Sequence, residues 1–459
     1  MGAVLGAAPR CPKAMTQNAT ASMRHDPDRL AAGFRRVRAL SEALAAPLGP
    51  EDQCVQSMPE ASPTKWHLAH TSWFFETFVL AEDARFKPFR PEFALLFNSY
   101  YQAVGPMHPR PQRGLLSRPD LAEVLRYRAF VDEQVLTRLE RGATPRQLEL
   151  IELGLHHEQQ HQELILTDIK SVFAVSPLWP RYRESSPARA SSSAAPLRWV
   201  EDPGGLVEIG RDLGHAAAFG FDNEGPRHRV WLEPFAIASR PATNREYLAF
   251  MADAGYRRPE LWLAEGWDAV QQHAWRAPNY WFNERFDQRA SELDAWQHFT
   301  LDGLEPIDLD APVCHLGYYE ADAFARWSGA RLPSEAEWER TAAGLACEGN
   351  LLPARAAELA SASLQPRANQ GPVDEISGLA QMFGDVWEWT ASAYSPYPGF
   401  RVAAGAVGEY NGKFMCNQMV LRGGSCATPA DHVRVGYRNF FHPPSRWQFT
   451  GVRLARDLG

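Results

Sequence analysis

Residues 146–173, RQLELIELGLHHEQQHQELILTDIKSVF, form the strongest helical stretch of the chain. His157 and His161 stand four residues apart in it, which stacks both imidazoles on one helix face. Three more helical stretches precede it. Leu30, Phe34, Val37, Leu40 and Leu44 recur at helical spacing over 26–46. TKWHLAHTSWFFETFVL, residues 64–80, follows a Ser-Pro turn. Residues 119–141 open on Pro119 and Asp120 and stop at Gly142, residue types that favour a helix start and end. Four helices with longer loops between them predict an all-α, up-down four-helix bundle over 26–183.

The texture changes after that. ESSPARASSSAAP, residues 184–196, has no apolar period and reads as a linker. Residues 197–459 are rich in Gly, Pro, Trp and short apolar runs, with helices near 319–328 and 334–344. Ser334 and Glu337 form a capping box for the second of these. The stretch predicts one α+β domain with much irregular structure. Residues 1–25 start with MGAVLGAAPRCPKAMTQNATASM, which has no proper apolar signal core. They read as a disordered leader, with Met15 or Met23 as alternative starts.

The 459 residues suffice for two or three domains, and 45% apolar with 22% charged residues is a globular composition. A net charge of −8 argues against a general binder of nucleic acid or anionic membranes. Six cysteines lie far apart with no CxxC pair. That disfavours a disulfide framework or a thiolate zinc site and fits a reducing, cytoplasmic compartment. No apolar run reaches transmembrane length.

An HxxxH pair on its own also fits two solvated or hydrogen-bonded histidines. A second helix of the same bundle, however, carries WHLAH with His67 and His70, and bundle cores build metal sites from facing helices. His156 points about 100° away around its helix and, with His67, reads as a non-ligand. Neutral imidazoles without thiolates suit Zn, Fe, Cu or Ni, and three of them leave positions open for water, substrate or dioxygen. The zincin signature HExxH is absent.

The loop FNSYYQAVGPMHPRPQRG, residues 97–114, sets Tyr100 and Tyr101 side by side. A phenol there can act as a proton donor or simply pack. Arg110 and Arg113 follow; guanidinium forks recognise carboxylates, but on residue type alone the pair reads as a solvated basic loop. RNFFHPPSRWQFTG, residues 438–451, offers the amide of Asn439 beside Phe440 and Phe441. Aromatic faces attract quaternary ammonium groups, and they also fill cores.

Together these segments resemble a known family. WHLAHTSWFFETF and LHHEQQHQELILTDI resemble the metal-binding core of a DinB-like bundle. NREYLAF (244–250), ARLPSEAEWERTA (330–342), GDVWEWTAS (384–392), LRGGSCAT (421–428) and GVRLAR (451–456) resemble a formylglycine-generating-enzyme-type domain. The pairing is similar to the ergothioneine sulfoxide synthases and spans roughly residues 26–459. The resemblance implies a mononuclear non-haem Fe(II) on His70, His157 and His161. It implies hercynine (Nα-trimethylhistidine), a thiol and O2 as substrates. The product it implies has a new C–S bond at the imidazole carbon between the nitrogens and carries the sulfur as a sulfoxide. It places Gln160 on the hercynine side and Asn439, Phe440 and Phe441 at the betaine end. Arg110 and Arg113 fall at the thiol's carboxylate. Tyr100 or Tyr101, with Tyr101 preferred, would deliver a proton that favours C–S bond formation over thiol dioxygenation.

Phe441 stands where the γ-glutamylcysteine-using subgroup has an Asp, so with the Tyr pair the chain resembles the cysteine-using subgroup. Formylglycine generation is not implied, because no second cysteine is spaced to join Cys426 in a copper pair. Cys426 reads as a small buried apolar residue. Three other readings remain: a selenoneine synthase joining hercynine to a selenosugar, a zinc-dependent DinB-like thiol transferase that needs no O2, and a non-enzymatic binding module. Nucleic-acid and membrane partners are not expected.

Overall fold

A computed structural model describes residues 25–184, 193–212, 218–283, 296–369 and 377–458. The leader read at 1–25 and the linker read at 184–196 lie mostly outside the described residues.

Four helices form the N-terminal bundle: α1 (Pro27–Ala45), α2 (Thr64–Phe75), α3 (Leu121–Arg141) and α4 (Pro145–Ala174). Their ends follow local chemistry. Asp26 caps α1 at the Asp28 amide, and Asp120 accepts the Glu123 amide at the start of α3. Gly142, at φ 97°, ends α3 in a conformation that suits glycine. Thr144 and Gln147 exchange hydrogen bonds across the first turn of α4, with Pro145 inside it. The stretch 64–80 is not one regular helix. After Phe75 it widens into a π-type turn over Glu76–Leu80, where the Glu76 carboxylate accepts the Phe89 amide and the Tyr127 hydroxyl.

Every residue of α2 is buried, because α3 and α4 both pack against it. The polar groups buried there are therefore paired. Arg38 and Arg128 both donate to Glu158, at 2.9 and 3.0 Å. Burial alone would raise that carboxyl, but the two guanidinium groups lower it to about 2.

The remainder is α+β. Strands β1 (Trp199–Asp202), β2 (Gly205–Ile209), β3 (His228–Leu232) and β4 (Phe235–Ala238) come first, followed by α5 (Asn244–Ala252) and α6 (Ala264–His273). Next are β5 (Trp281–Phe282), β6 (Gln297–Thr300), β7 (Gly303–Pro306), α7 (Tyr318–Trp327) and α8 (Glu335–Ala342). The chain ends with β8 (Trp387–Ala393), β9 (Met419–Arg422), β10 (Asn439–Phe441), β11 (Thr450–Gly451) and β12 (Ala455–Asp457). The sheets run β1-β4-β12, β10-β9-β8-β11, β2-β3 and β5-β6-β7. Helices α7 and α8 match the sequence reading, including the Ser334–Glu337 capping box.

Strands this short hold few ladder bonds, and buried ion pairs bind the loops together. Arg422 donates to Glu335 and Glu339, and Arg438 to Glu335. Arg453 and the Trp338 indole both donate to Glu388. The two regions meet along α4. There Glu163 accepts from Trp387, Ser425 and Thr428, Gln159 donates to Asp431, and Lys170 donates to His315 at 2.7 Å. Cys426 is buried, as expected. Among the described residues no helix is long and apolar enough to cross a membrane.

Candidate metal centre and its cavity

The i, i+4 spacing on α4 aims His157 and His161 toward α2, where His70 faces them. A ring nitrogen from each of the three lies within 4.8 Å of the others, and all three side chains are buried. The Nε2 atoms of His70 and His157 are 3.2 Å apart. His70 Nδ1 donates to the Phe97 carbonyl at 2.6 Å, which leaves its Nε2 lone pair free. His157 Nδ1 has no hydrogen-bond partner. Burial holds all three imidazoles below their ordinary pKa, with His157 at about 3. Around His70 and His161, neighbouring imidazoles and Arg113 act in the same direction. Neutral imidazoles converging on one point are the form that binds a transition metal, so the residues fit such an ion.

The triad opens into a cavity of about 360 Å³ walled by both regions. From the bundle side come Tyr100, Arg110, Arg113 and Gln160, and from the other side Asn439, Phe440 and Phe441. The Arg113 guanidinium lies 3.5 Å over the Trp66 ring and donates to Ser62. Its Nε is buried without a partner, and burial next to Arg110 lowers its pKa to about 8. A carboxylate arriving there would supply the missing acceptor. Arg110 is exposed and donates to the Glu60 carbonyl. Opposite them, Phe440 stacks on Tyr394 at 4.0 Å, so its face is held rigidly.

Tyr101 does not line this cavity. Its ring is sealed against Trp73 and Phe78, whereas Tyr100 faces the space and donates to the Tyr101 hydroxyl at 3.5 Å. A residue missed by the sequence reading takes a place there instead. Tyr410 lines the cavity, sits 5.7 Å from the His157 ring and donates to the Gln160 carbonyl oxygen. Gln160 in turn donates to Tyr437 at 2.8 Å. Burial raises the pKa of Tyr100 and Tyr410, so both phenols keep their protons. Glu409 and Lys413 close this wall, binding the amides of Gln102 and Ala103 and the Tyr100 carbonyl. Nothing in the spacing of the sequence pointed to Tyr410, because its partners are remote in the chain.

Comparison with known proteins agrees with this two-part architecture. Residues 33–165 match the DinB superfamily, and residues 189–458 match the sulfatase-modifying factor enzyme 1-like domain. A hercynine oxygenase of Mycolicibacterium thermoresistibile is 33% identical over 422 residues, covering 87% of this chain and 88% of that protein. The chain belongs to the ergothioneine sulfoxide synthase family. A second relative, the hercynine oxygenase of Mycobacterium tuberculosis, is 31% identical and covers 94% of this chain and 99% of its own length. The formylglycine-generating enzyme of Thermomonospora curvata is 30% identical but covers only 56% of this chain. Sulfoxide synthase family membership thus rests on both regions, whereas the formylglycine-generating likeness covers little more than half of the chain.

Proposed function

We propose that this protein is an O2-dependent sulfoxide synthase that joins hercynine to cysteine at a mononuclear Fe(II) held by His70, His157 and His161. The observation that carries the reading is the convergence of three buried, neutral imidazoles on a cavity with a basic wall at one side and an aromatic wall at the other. Bound there, Fe(II) would supply open positions for substrates and the activation of dioxygen.

The protein's own groups do the positioning. Arg113, with Arg110 at the mouth, takes the carboxylate of the thiol substrate. Phe440 and Phe441 face the trimethylammonium group of hercynine, and Asn439 offers its amide beside them. Gln160, held between Tyr410 and Tyr437, is set to meet the imidazole of hercynine. Tyr100 and Tyr410 hold phenolic protons at the cavity surface, and one of them acts as the acid. The reaction balances as hercynine plus cysteine plus O2 giving the sulfoxide plus water. One oxygen atom ends on sulfur and the other in water, and the C–H and S–H hydrogens leave with it. Phe441, in place of an acidic residue, favours free cysteine as donor.

The test is to incubate Fe(II)-loaded enzyme with hercynine and O2 against cysteine, γ-glutamylcysteine and a selenosugar, and to read products by mass spectrometry. Hercynylcysteine sulfoxide is the expected product. A selenium adduct would keep the metal and hercynine assignments and change the donor. Turnover of a thiol without O2, with zinc bound, would overturn the oxidative reading.

A further inference from the structure

His67 lies three residues before His70 on the same buried helix, and its two ring nitrogens bridge Asp168 and the outer nitrogen of His161. Its Nε2 is 3.0 Å from Asp168 Oδ2, and its Nδ1 is 2.8 Å from Nδ1 of His161. Asp168 Oδ2 also accepts the Ser62 amide at 2.8 Å, which fixes that oxygen as an acceptor. All of these groups are buried.

The hydrogen-bond directions follow from the acceptor. Facing a carboxylate oxygen, His67 Nε2 carries the ring proton. With one proton on the ring, His67 Nδ1 is then an acceptor. His161 Nδ1 must therefore donate, which leaves its lone pair on Nε2. We propose that His67 and Asp168 are positioning residues that hold His161 in the tautomer and ring orientation needed to bind a metal. This rests on the metal reading of the triad given under Proposed function. The three candidate ligands are supported differently. His70 leans on a backbone carbonyl, His157 Nδ1 has no partner, and only His161 depends on a pair of side chains. Ser62 extends the chain of contacts, because its hydroxyl also accepts from Arg113 at 2.9 Å. The arrangement thereby ties one ligand to the basic wall of the cavity.

The dyad can be dissected by what each substitution leaves behind. His67→Phe keeps a ring and removes both nitrogens, and Asp168→Ala removes the acceptor. His67→Gln keeps an acceptor for His161 and a donor for Asp168. Asp168→Asn keeps one oxygen able to accept from both Ser62 and His67. The full-length apoprotein and these variants are titrated anaerobically with Co(II), whose visible absorption reports coordination, and urea unfolding of each apoprotein is followed in parallel. The expected result is about 10- to 100-fold weaker Co(II) binding with an altered spectrum for His67→Phe and Asp168→Ala. His67→Gln and Asp168→Asn should remain within about 3-fold of the parent. If the two disruptive variants do not fold, His67→Leu replaces them under the same expectation. The proposal is overturned if the disruptive variants bind like the parent, or if the conservative pair loses as much as they do. A parent protein that takes up no Co(II) would instead overturn the metal reading itself.

Discussion

In the bundle, Arg38 and Arg128 close on Glu158. In the region after residue 197, Arg422 and Arg438 close on Glu335, and Arg453 closes on Glu388. The same device serves two different ends. The bundle's helices are specified locally, by apolar spacing and caps, and its buried ions back directly onto the histidine triad, since Glu158 follows His157. The second region has short strands and long loops, and its ion pairs are made by its most recognisable motifs. Glu335 and Glu339 belong to ARLPSEAEWERTA, Glu388 to GDVWEWTAS, Arg422 to LRGGSCAT and Arg453 to GVRLAR. Those motifs are scaffolding, and Tyr410, Phe414 and Tyr437, which face the cavity, fall between them.

The sharpest test of this contrast is His157→Ala. It should abolish metal uptake and all oxygen-dependent turnover while leaving far-UV circular dichroism unchanged. A metal-replete, active variant would refute the ligand assignment. Glu158→Gln and Glu388→Gln should each cost about 3–5 kcal/mol, because the first takes from buried Arg38 and Arg128 the counter-ion they share and the second takes from buried Arg453 its own. Denaturant unfolding also shows whether the regions are coupled. One shared transition lowered by both substitutions means that α4 welds them together, and two separable transitions mean that it does not.

Tyr100→Phe and Tyr410→Phe divide the acid role. The true donor should lose on the order of 100-fold in sulfoxide formation and shift product toward cysteine sulfinate, whereas sealed Tyr101→Phe should keep the parent ratio. If all three keep that ratio, no phenol of this wall is the acid. The smallest effect is expected at the aromatic wall. Phe440→Leu should raise the KM for hercynine about 3- to 30-fold with little change in kcat, in line with one desolvated cation–π contact. An unchanged KM would move the ammonium group elsewhere.

Much of the bundle was legible because a helix announces itself through a repeat, and HxxxH places two imidazoles on one face without further information. His70 needed only the assumption that WHLAH faces that pair. The remaining groups in and behind the cavity were harder to read for a physical reason. Tyr410 acquires its role through Gln160, 250 positions away, and Asp168 through His67, 101 positions away. No local period encodes such pairings. Helices α5 and α6 were missed although neither is shorter than α8; α5 carries in Thr243 and Glu246 the same capping signal as α8, whereas α6 has no side-chain cap to announce it. The single helix read over 64–80 failed at Glu76, where two tertiary donors, the Phe89 amide and Tyr127, hold a widened turn.

Helix α4 works like a camshaft. Around its circumference, Glu158 meets the arginines of the bundle, His157 and His161 meet His70, Gln160 meets two tyrosines and Glu163 meets the second region. Each lobe is timed against the others by the 100° step per residue. Inserting or deleting one residue ahead of His156 would therefore mistime every lobe at once, even though no side chain had been altered. A loop can take up an added residue by bulging outward, but a regular helix can take it up only by turning everything that follows.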